Sequence, residues 1–158
     1  MNKKVLVFGS GISGIGACQL LEAVGKDVVL YDGNTSLDPD GIKTQIGEGT
    51  KVEVVLGELS DDVIDSLELV VMSPGVPTDL PIVNKMREMG LPIWGEVELA
   101  FTYGKGDVLA ITGTNGKTTT TALISHILLE AGLDPTVANG AVIPEIGGAY
   151  KIGSKEHF

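Results

Sequence analysis

The sequence predicts an α/β fold: a parallel sheet with helices on both faces, followed by the beginning of a second unit. Three observations predict it. Short apolar, β-branched runs alternate with stretches of helical periodicity, as expected of a sheet buried on both faces. Glycine is frequent, at 22 of 158 residues, and aromatic residues make up only 4%, a balance that suits short strands joined to helices by tight turns. Two glycine-bearing turns, at 9–14 and 113–119, each follow a strand-like run and each open a helix-like one.

In chain order, strands are expected at Val5-Leu6-Val7-Phe8, Val28-Val29-Leu30-Tyr31, Val52-Glu53-Val54-Val55-Leu56, Leu69-Val70-Val71-Met72 and Pro92-Ile93-Trp94. Between the first two, Ser13 to Val24 carries apolar residues at Ile15, Cys18, Leu21 and Val24, and Gly25 is placed to end the helix. Ser60 followed by Asp61 and Asp62 reads as an N-cap with acidic residues at the positive end of a short helix. Pro81 to Met89 is a helix closed by Gly90, and Glu96 to Thr102 is a further short one. The polar joint Tyr103-Gly104-Lys105-Gly106-Asp107 separates a first domain, 1–103, from a second, 107–158. The second is expected to hold a strand Val108-Leu109-Ala110-Ile111-Thr112 and a helix from Lys117 to Ala131, stopped by Gly132 and Pro135. A further strand, Thr136-Val137-Ala138, would precede a glycine-rich stretch. About 50 residues are too few to bury both faces of a doubly wound sheet. The second unit therefore reads as the opening of a larger domain, and the chain as a piece of a longer protein.

Composition excludes several classes. Formal charge is −10, from 11 Lys and Arg against 21 Asp and Glu, with 43% hydrophobic residues. That hydrophobic fraction can build a core, which excludes a disordered acidic tail. The acidity excludes a nucleic-acid-binding surface, which needs clustered cations to displace counterions, and a polybasic membrane attachment. No apolar run approaches the roughly 18 residues that span a bilayer. The start, Met1-Asn2-Lys3-Lys4-Val5, enters a strand pattern without a leader. One cysteine, Cys18, cannot form an internal disulfide, which suits a reducing compartment. A cytoplasmic protein is expected, with neither nucleic-acid partners nor membrane insertion.

Gly9-Ser10-Gly11-Ile12-Ser13-Gly14 fits G-x-G-x-x-G directly after a strand and directly before a helix, the context in which that pattern marks a nucleotide-binding turn. Glycines there allow a tight turn and let main-chain N–H groups approach a diphosphate, while the helix N-terminus adds partial positive charge. An acidic protein can hold an anion in this way without a basic patch. Asp32 ends the second strand 18 residues past Gly14, near where a ribose-binding carboxylate is expected. Ser73-Pro74-Gly75 ends the fourth strand, at the edge where open α/β sheets bind ligands. The bland alternative is that the glycines only allow close helix–strand packing. The loop leaves open whether the ligand is a dinucleotide such as NAD, in a regulatory or redox domain, or another nucleoside diphosphate.

Gly113-Thr114-Asn115-Gly116-Lys117-Thr118-Thr119 is a shortened P-loop, G-x-x-G-K-[ST], with two residues rather than four before its Gly-Lys pair. The physical roles survive the shortening. Successive N–H groups form a nest for phosphate oxygens, Lys117 neutralises the outer phosphates, and the Thr118 hydroxyl can ligate Mg²⁺. A cation at the first turn of a helix opposes the helix dipole unless an anion is near. The run Thr118-Thr119-Thr120-Thr121 also propagates a plain helix poorly.

At these residues the chain resembles the Mur ligase family. The resemblance is carried by Val7-Phe8-Gly9-Ser10-Gly11-Ile12-Ser13-Gly14, Ser73-Pro74-Gly75-Val76-Pro77, Gly95-Glu96-Val97-Glu98-Leu99 and Ala110-Ile111-Thr112-Gly113-Thr114-Asn115-Gly116-Lys117-Thr118-Thr119-Thr120. It implies a Rossmann-like domain that binds a UDP-linked substrate, then the beginning of a central P-loop ATPase domain. It implies a ligase of peptidoglycan precursor synthesis, which activates a carboxylate as an acyl phosphate with ATP and Mg²⁺ before an amino acid attacks. The members most resembled join D-glutamate to UDP-N-acetylmuramoyl-L-alanine, so these are the implied substrates, with a monomer expected. Carried over, Gly11, Ile12, Ser13, Gly14, Asp32, Ser73 and Gly75 would hold UDP. Gly113, Thr114, Asn115, Gly116, Lys117, Thr118 and Thr119 would hold ATP, with Lys117 catalytic and Thr118 toward the metal. Asn139, in Ala138-Asn139-Gly140-Ala141, matches a substrate-contacting Asn. The family's metal-binding His, modified lysine and amino-acid-binding domain are not among these residues, so the 158 residues alone are expected to be inactive.

The remaining tempting residues read as structural. Cys18 is a core residue, and His126 and His157 have no ligand cluster at metal spacing. Glu96 and Glu98, two apart on a helix, do not face each other. Asp61, Asp62 and Asp65 read as a solvated helix start.

Overall fold

The structure, a computed structural model, describes residues 3–104 and 106–153. The expectations for the start at Met1-Asn2 and for His157 lie outside them. The chain divides into two compact units, Met1–Leu99 and Ala100–Phe158.

The first unit is a five-stranded parallel sheet. Strands β1 (Lys4–Phe8), β2 (Val28–Asp32), β3 (Glu53–Leu56), β4 (Leu67–Met72) and β5 (Ile93–Gly95) lie in the order β3-β2-β1-β4-β5. Val5 to Phe8 pair with Val28 to Tyr31 on one side, and with Leu69 to Met72 on the other. The paired stretches Val5 to Phe8, Val28 to Tyr31 and Leu69 to Met72 are apolar because both faces are covered. Successive side chains alternate between those faces. Leu6, Phe8, Val29, Tyr31, Val70 and Met72 pack on one side with Leu59, Ile64, Val83 and Met86. The last three of these belong to helices α3 (Asp61–Asp65) and α4 (Pro81–Glu88). Helices α1 (Ile12–Ala23) and α2 (Pro39–Ile46) pack against each other, α1 also on β1 and β2 and α2 on β3. Each fully buried Val or Leu contributes about 2 kcal/mol of burial, so β1, with Val5, Leu6 and Val7 all at 0% exposure, anchors the sheet.

Helix α2 is an addition to the expected elements. Pro39 and Gly41 look like breakers in sequence, yet Pro39 sits at the first turn, where its missing N–H costs nothing. The Asp38 side chain caps the helix by accepting from the Asp40 N–H at 3.1 Å. At the far end the Gln19 amide donates to the carbonyls of Gln45 and Ile46. The helix α5 (Glu96–Tyr103) follows β5 directly.

In the second unit, helix α6 (Lys117–Glu130) leads to an antiparallel pair, β6 (Val137–Ile143) and β7 (Gly148–Lys151). Two expectations are corrected here. The short strand at 136–138 starts at Val137 and runs on to Ile143, and its partner lies in the stretch read as merely glycine-rich. Residues 108–112 form no strand, despite their apolar, β-branched character. A strand exists through its hydrogen-bonded ladder, and among the described residues none runs beside this segment, since β6 pairs with β7. Val108 and Leu109 are 59% and 58% exposed. Among the described residues no helix is long and apolar enough to cross a membrane.

Candidate functional site

Strand order places the first glycine turn at a crevice. Leaving β1 the chain passes to β2 on one side, whereas β4 leads to β5 on the other. The loops after β1 and β4 therefore diverge at their carboxyl ends, the place where open parallel sheets take ligands. The two loops are nonetheless tied at their roots. The Ser73 N–H donates to the Phe8 carbonyl at 3.0 Å, and the Ser73 hydroxyl makes a long 3.5 Å contact to the Gly9 carbonyl. Ser73 is 8% exposed and supports the loop from beneath, while Gly75 is open to solvent.

Three glycines of the turn have different duties. Gly9 has φ +104°, and a Cβ there would meet the Val76 side chain at 2.9 Å. At Gly14 a Cβ would lie 1.8 Å from the Gly9 carbonyl oxygen, so this glycine lets α1 press against the turn. Gly11 has nothing within 4 Å of a Cβ, so its freedom concerns what approaches from outside. Gly11 is the N-cap of α1, with no side-chain cap, and the helix's first internal bond runs from the Ile15 N–H to the Gly11 carbonyl. The N–H groups of Ile12, Ser13 and Gly14 are therefore the uncapped donors of a helix N-terminus, which favours an anion.

Asp32 lies at the same edge, at the end of β2. Its Oδ2 accepts from the Ser10 N–H at 3.0 Å and the Ser10 hydroxyl at 2.7 Å, and its Oδ1 accepts from the Asn34 N–H at 3.0 Å. Partial burial pushes this carboxyl up, but the hydrogen bonds from the Ser10 hydroxyl and from the Asn34 and Ser10 N–H groups outweigh it. The net effect holds it below the ordinary aspartate range. Ser10 was not among the sequence candidates, because G-x-G-x-x-G treats its position as free. The available signal was a hydroxyl between two glycines with an acid at the end of the next strand. Gly11, Ile12, Ser13, Gly14, Asp32, Ser73 and Gly75 thus all lie at or just after the carboxyl ends of the neighbouring strands β1, β2 and β4.

The second turn is built from Gly113 (φ +143°) and Gly116 (φ +80°), the latter the N-cap of α6 without a side-chain cap. Thr114, Asn115, Lys117, Thr118 and Thr119 are all exposed. The Lys117 ammonium folds back to donate to the Gly113 carbonyl, so its charge already lies across the turn. Asn139 is on β6, 7% exposed, with its amide donating to the Ala141 carbonyl at 3.1 Å. Among the described residues no group of three or more His, Cys, Asp and Glu could hold a metal. The exposed Thr118 hydroxyl could supply one oxygen to a Mg²⁺ ion whose other positions were filled by non-protein oxygens.

The structural residues behave differently from one another. Cys18 is fully buried, and burial, helped by the Glu22 charge, pushes its thiol up to about 12. His126 is exposed on α6. Asp61, Asp62 and Asp65 are all exposed, as expected of a solvated helix start, and Asp61 also pairs with Lys85 of α4 at the surface.

Comparison with known proteins matches both units. Residues 3–95 fit the family described as Mur ligase MurD-like, N-terminal domain, and residues 111–155 fit the Mur ligase middle domain. A UDP-N-acetylmuramoylalanine–D-glutamate ligase of Lachnospira eligens is 51% identical over 127 residues, covering 80% of this chain and 28% of the relative. One of Caldanaerobacter subterraneus is 40% identical over 158 residues, covering 99% of this chain and 34% of the relative. The solved murein peptide ligase of Psychrobacter arcticus has a TM-score of 0.76 at 23% identity, covering 97% of this chain and 34% of that one, a likeness of fold. The chain spans about a third of the length of the curated relatives it matches.

Proposed function

The chain belongs to the Mur ligase family, and on that footing we propose that it is part of an ATP-dependent ligase joining D-glutamate to UDP-N-acetylmuramoyl-L-alanine. The observation that carries this reading is the uncapped N-terminus of α1 opening onto the crevice between the loops after β1 and β4. In a chain of net charge −10, main-chain amides and the helix dipole supply the positive potential that a basic patch would otherwise supply.

In this reading the amides of Ile12, Ser13 and Gly14 take the UDP diphosphate, Gly11 and Gly75 leave room for it, Asp32 completes the rim and Ser73 holds the loop from beneath. The second turn takes ATP. Gly113, Thr114, Asn115 and Gly116 curve the main chain around the phosphates, and the Thr118 and Thr119 hydroxyls face them at the start of α6. The Lys117 ammonium leaves the Gly113 carbonyl for phosphate oxygens, which neutralises charge as the terminal phosphoryl group passes to the substrate carboxylate. Mg²⁺, when bound by Thr118 and the phosphates, would spread that charge further. The amine of D-glutamate then displaces phosphate from the acyl phosphate to leave an amide. Asn139 would contact the substrate, the first domain would run to about residue 103, and the ligase would act as a cytoplasmic monomer.

Isothermal titration of the protein carrying this chain is expected to show heat with UDP and none with NAD. Heat with NAD alone would overturn the assignment.

A further inference from the structure

In dinucleotide-binding sheets the carboxylate ending the second strand grips a ribose through its hydroxyls. Asp32 holds that position, but most of its accepting capacity is used. An ionised carboxylate offers about four acceptor positions. Ser10 takes two of them on Oδ2, with its N–H at 3.0 Å and its hydroxyl at 2.7 Å, and the Asn34 N–H takes one on Oδ1 at 3.0 Å. What remains is a single position, on Oδ1. A vicinal diol held by both carboxylate oxygens needs a vacancy on each.

The same two bonds fasten the turn. Gly9 is held by its N–H on the Tyr31 carbonyl at 2.8 Å, whereas Gly11 has no neighbour within 4 Å of where a Cβ would be. Ser10, between them, adds the side-chain tie from the turn to Asp32 at the end of β2, beyond the main-chain bond of Gly9. Tyr31, beside Asp32, is the titratable group that the charges of both Asp32 and Glu58 act on. Burial first, and then the charges of Asp32 and Glu58, push the Tyr31 phenol up, so it stays neutral while Asp32 is ionised.

We propose that Ser10 is a specificity-determining and positioning residue: it occupies the Asp32 oxygen that a ribose diol would need and fixes the phosphate-binding turn. The corner therefore accepts a nucleoside diphosphate through main-chain amides plus one donor to Asp32, and it rejects a nicotinamide dinucleotide. This rests on the UDP reading of the same corner.

The test compares wild type, Ser10→Ala and Ser10→Thr in the protein carrying this chain, with three readouts. These are UDP affinity by calorimetry, NADH affinity by fluorescence, and titration of the Asp32 carboxyl by NMR without ligand. Ser10→Ala is expected to weaken UDP about tenfold, to shift the UDP-to-NADH preference toward NADH by at least as much, and to raise the Asp32 titration. Ser10→Thr, which keeps the hydroxyl, is expected to restore all three. Ser10→Gly carries the test should Ser10→Ala fail to fold. An unchanged preference with an unchanged Asp32 titration in Ser10→Ala overturns the inference. Absence of UDP binding in wild type overturns the UDP reading instead, and the ligand-free titration then decides whether Ser10 holds Asp32.

Discussion

One oxygen of Asp32 accepts both the N–H and the hydroxyl of Ser10, at 3.0 and 2.7 Å, so a single carboxylate fastens the first glycine turn to the end of β2. The two residues are 22 apart in sequence and meet because β1 and β2 are parallel neighbours in register, Phe8 beside Tyr31. The turn whose uncapped amides we propose take a phosphate is thus braced by an acid that would itself repel phosphate if its charge were not shared with donors.

That brace depends on ionisation. Because the folded state holds Asp32 below the ordinary aspartate value of 3.8, its contribution is complete above that value and disappears as pH falls through the lower folded one. Asp32→Asn is expected to cost about 1 kcal/mol at neutral pH, a figure already discounted for partial exposure. The difference from wild type should shrink below about pH 4. Urea midpoints at neutral pH and near pH 3 measure it, and a gap that does not change with pH would contradict the assignment.

Two glycines of one turn should respond in opposite ways. Gly14→Ala puts a methyl 1.8 Å from the Gly9 carbonyl oxygen, a backbone atom that cannot turn aside, so a loss of about 3 kcal/mol or more is expected. Gly11→Ala meets nothing and keeps an ordinary φ of −70°, so its melting temperature should match wild type while UDP binding falls. Thermal scans with and without UDP distinguish them.

Lys117 is exposed and bonded only within its own turn among the described contacts. Lys117→Ala is expected to leave the melting temperature nearly unchanged, since a cation at a helix start opposes the dipole. Acyl-phosphate formation by the full-length protein should fall about a hundredfold to a thousandfold. A near-normal rate would remove Lys117 from the chemistry.

Cys18 faces the core with its thiol pushed up to about 12. Thiolate is the reactive form, so alkylation at pH 8 should be negligible in the native state and rapid in urea. Mass spectrometry of the alkylated chain is the measurement, and fast native labelling would show that α1 opens.

Much of the first unit was legible along the chain. Each of the five strands contains a short apolar run, and Gly25 and Gly90 take positive φ where they stop α1 and α4. The misses share a cause. Pro39 and Gly41 hid α2, because a proline reads as a breaker until its place in the first turn is known. The hairpin of β6 and β7 was hidden by Gly140, Gly147 and Gly148, and its pairing is settled across the 3₁₀ turn Pro144–Ile146. Residues 108–112 were misread for the converse reason, a strand composition with no strand beside it.

Periodicity, turn glycines and charge composition are local, carried by residues within a few positions of each other, and from them came the α/β class, the strand–turn–helix corner after β1, the helix that opens at Lys117 and the expectation of an anion site made from backbone. Which strands pair, which apolar run stays unpaired and which side chain reaches Asp32 are matters of distant segments meeting. Those depend on hydrogen-bond partners and packing that form when the chain folds. Ser10 shows the division: its neighbours Gly9 and Gly11 announce a turn, and its hold on Asp32 exists because β2 comes to lie alongside β1.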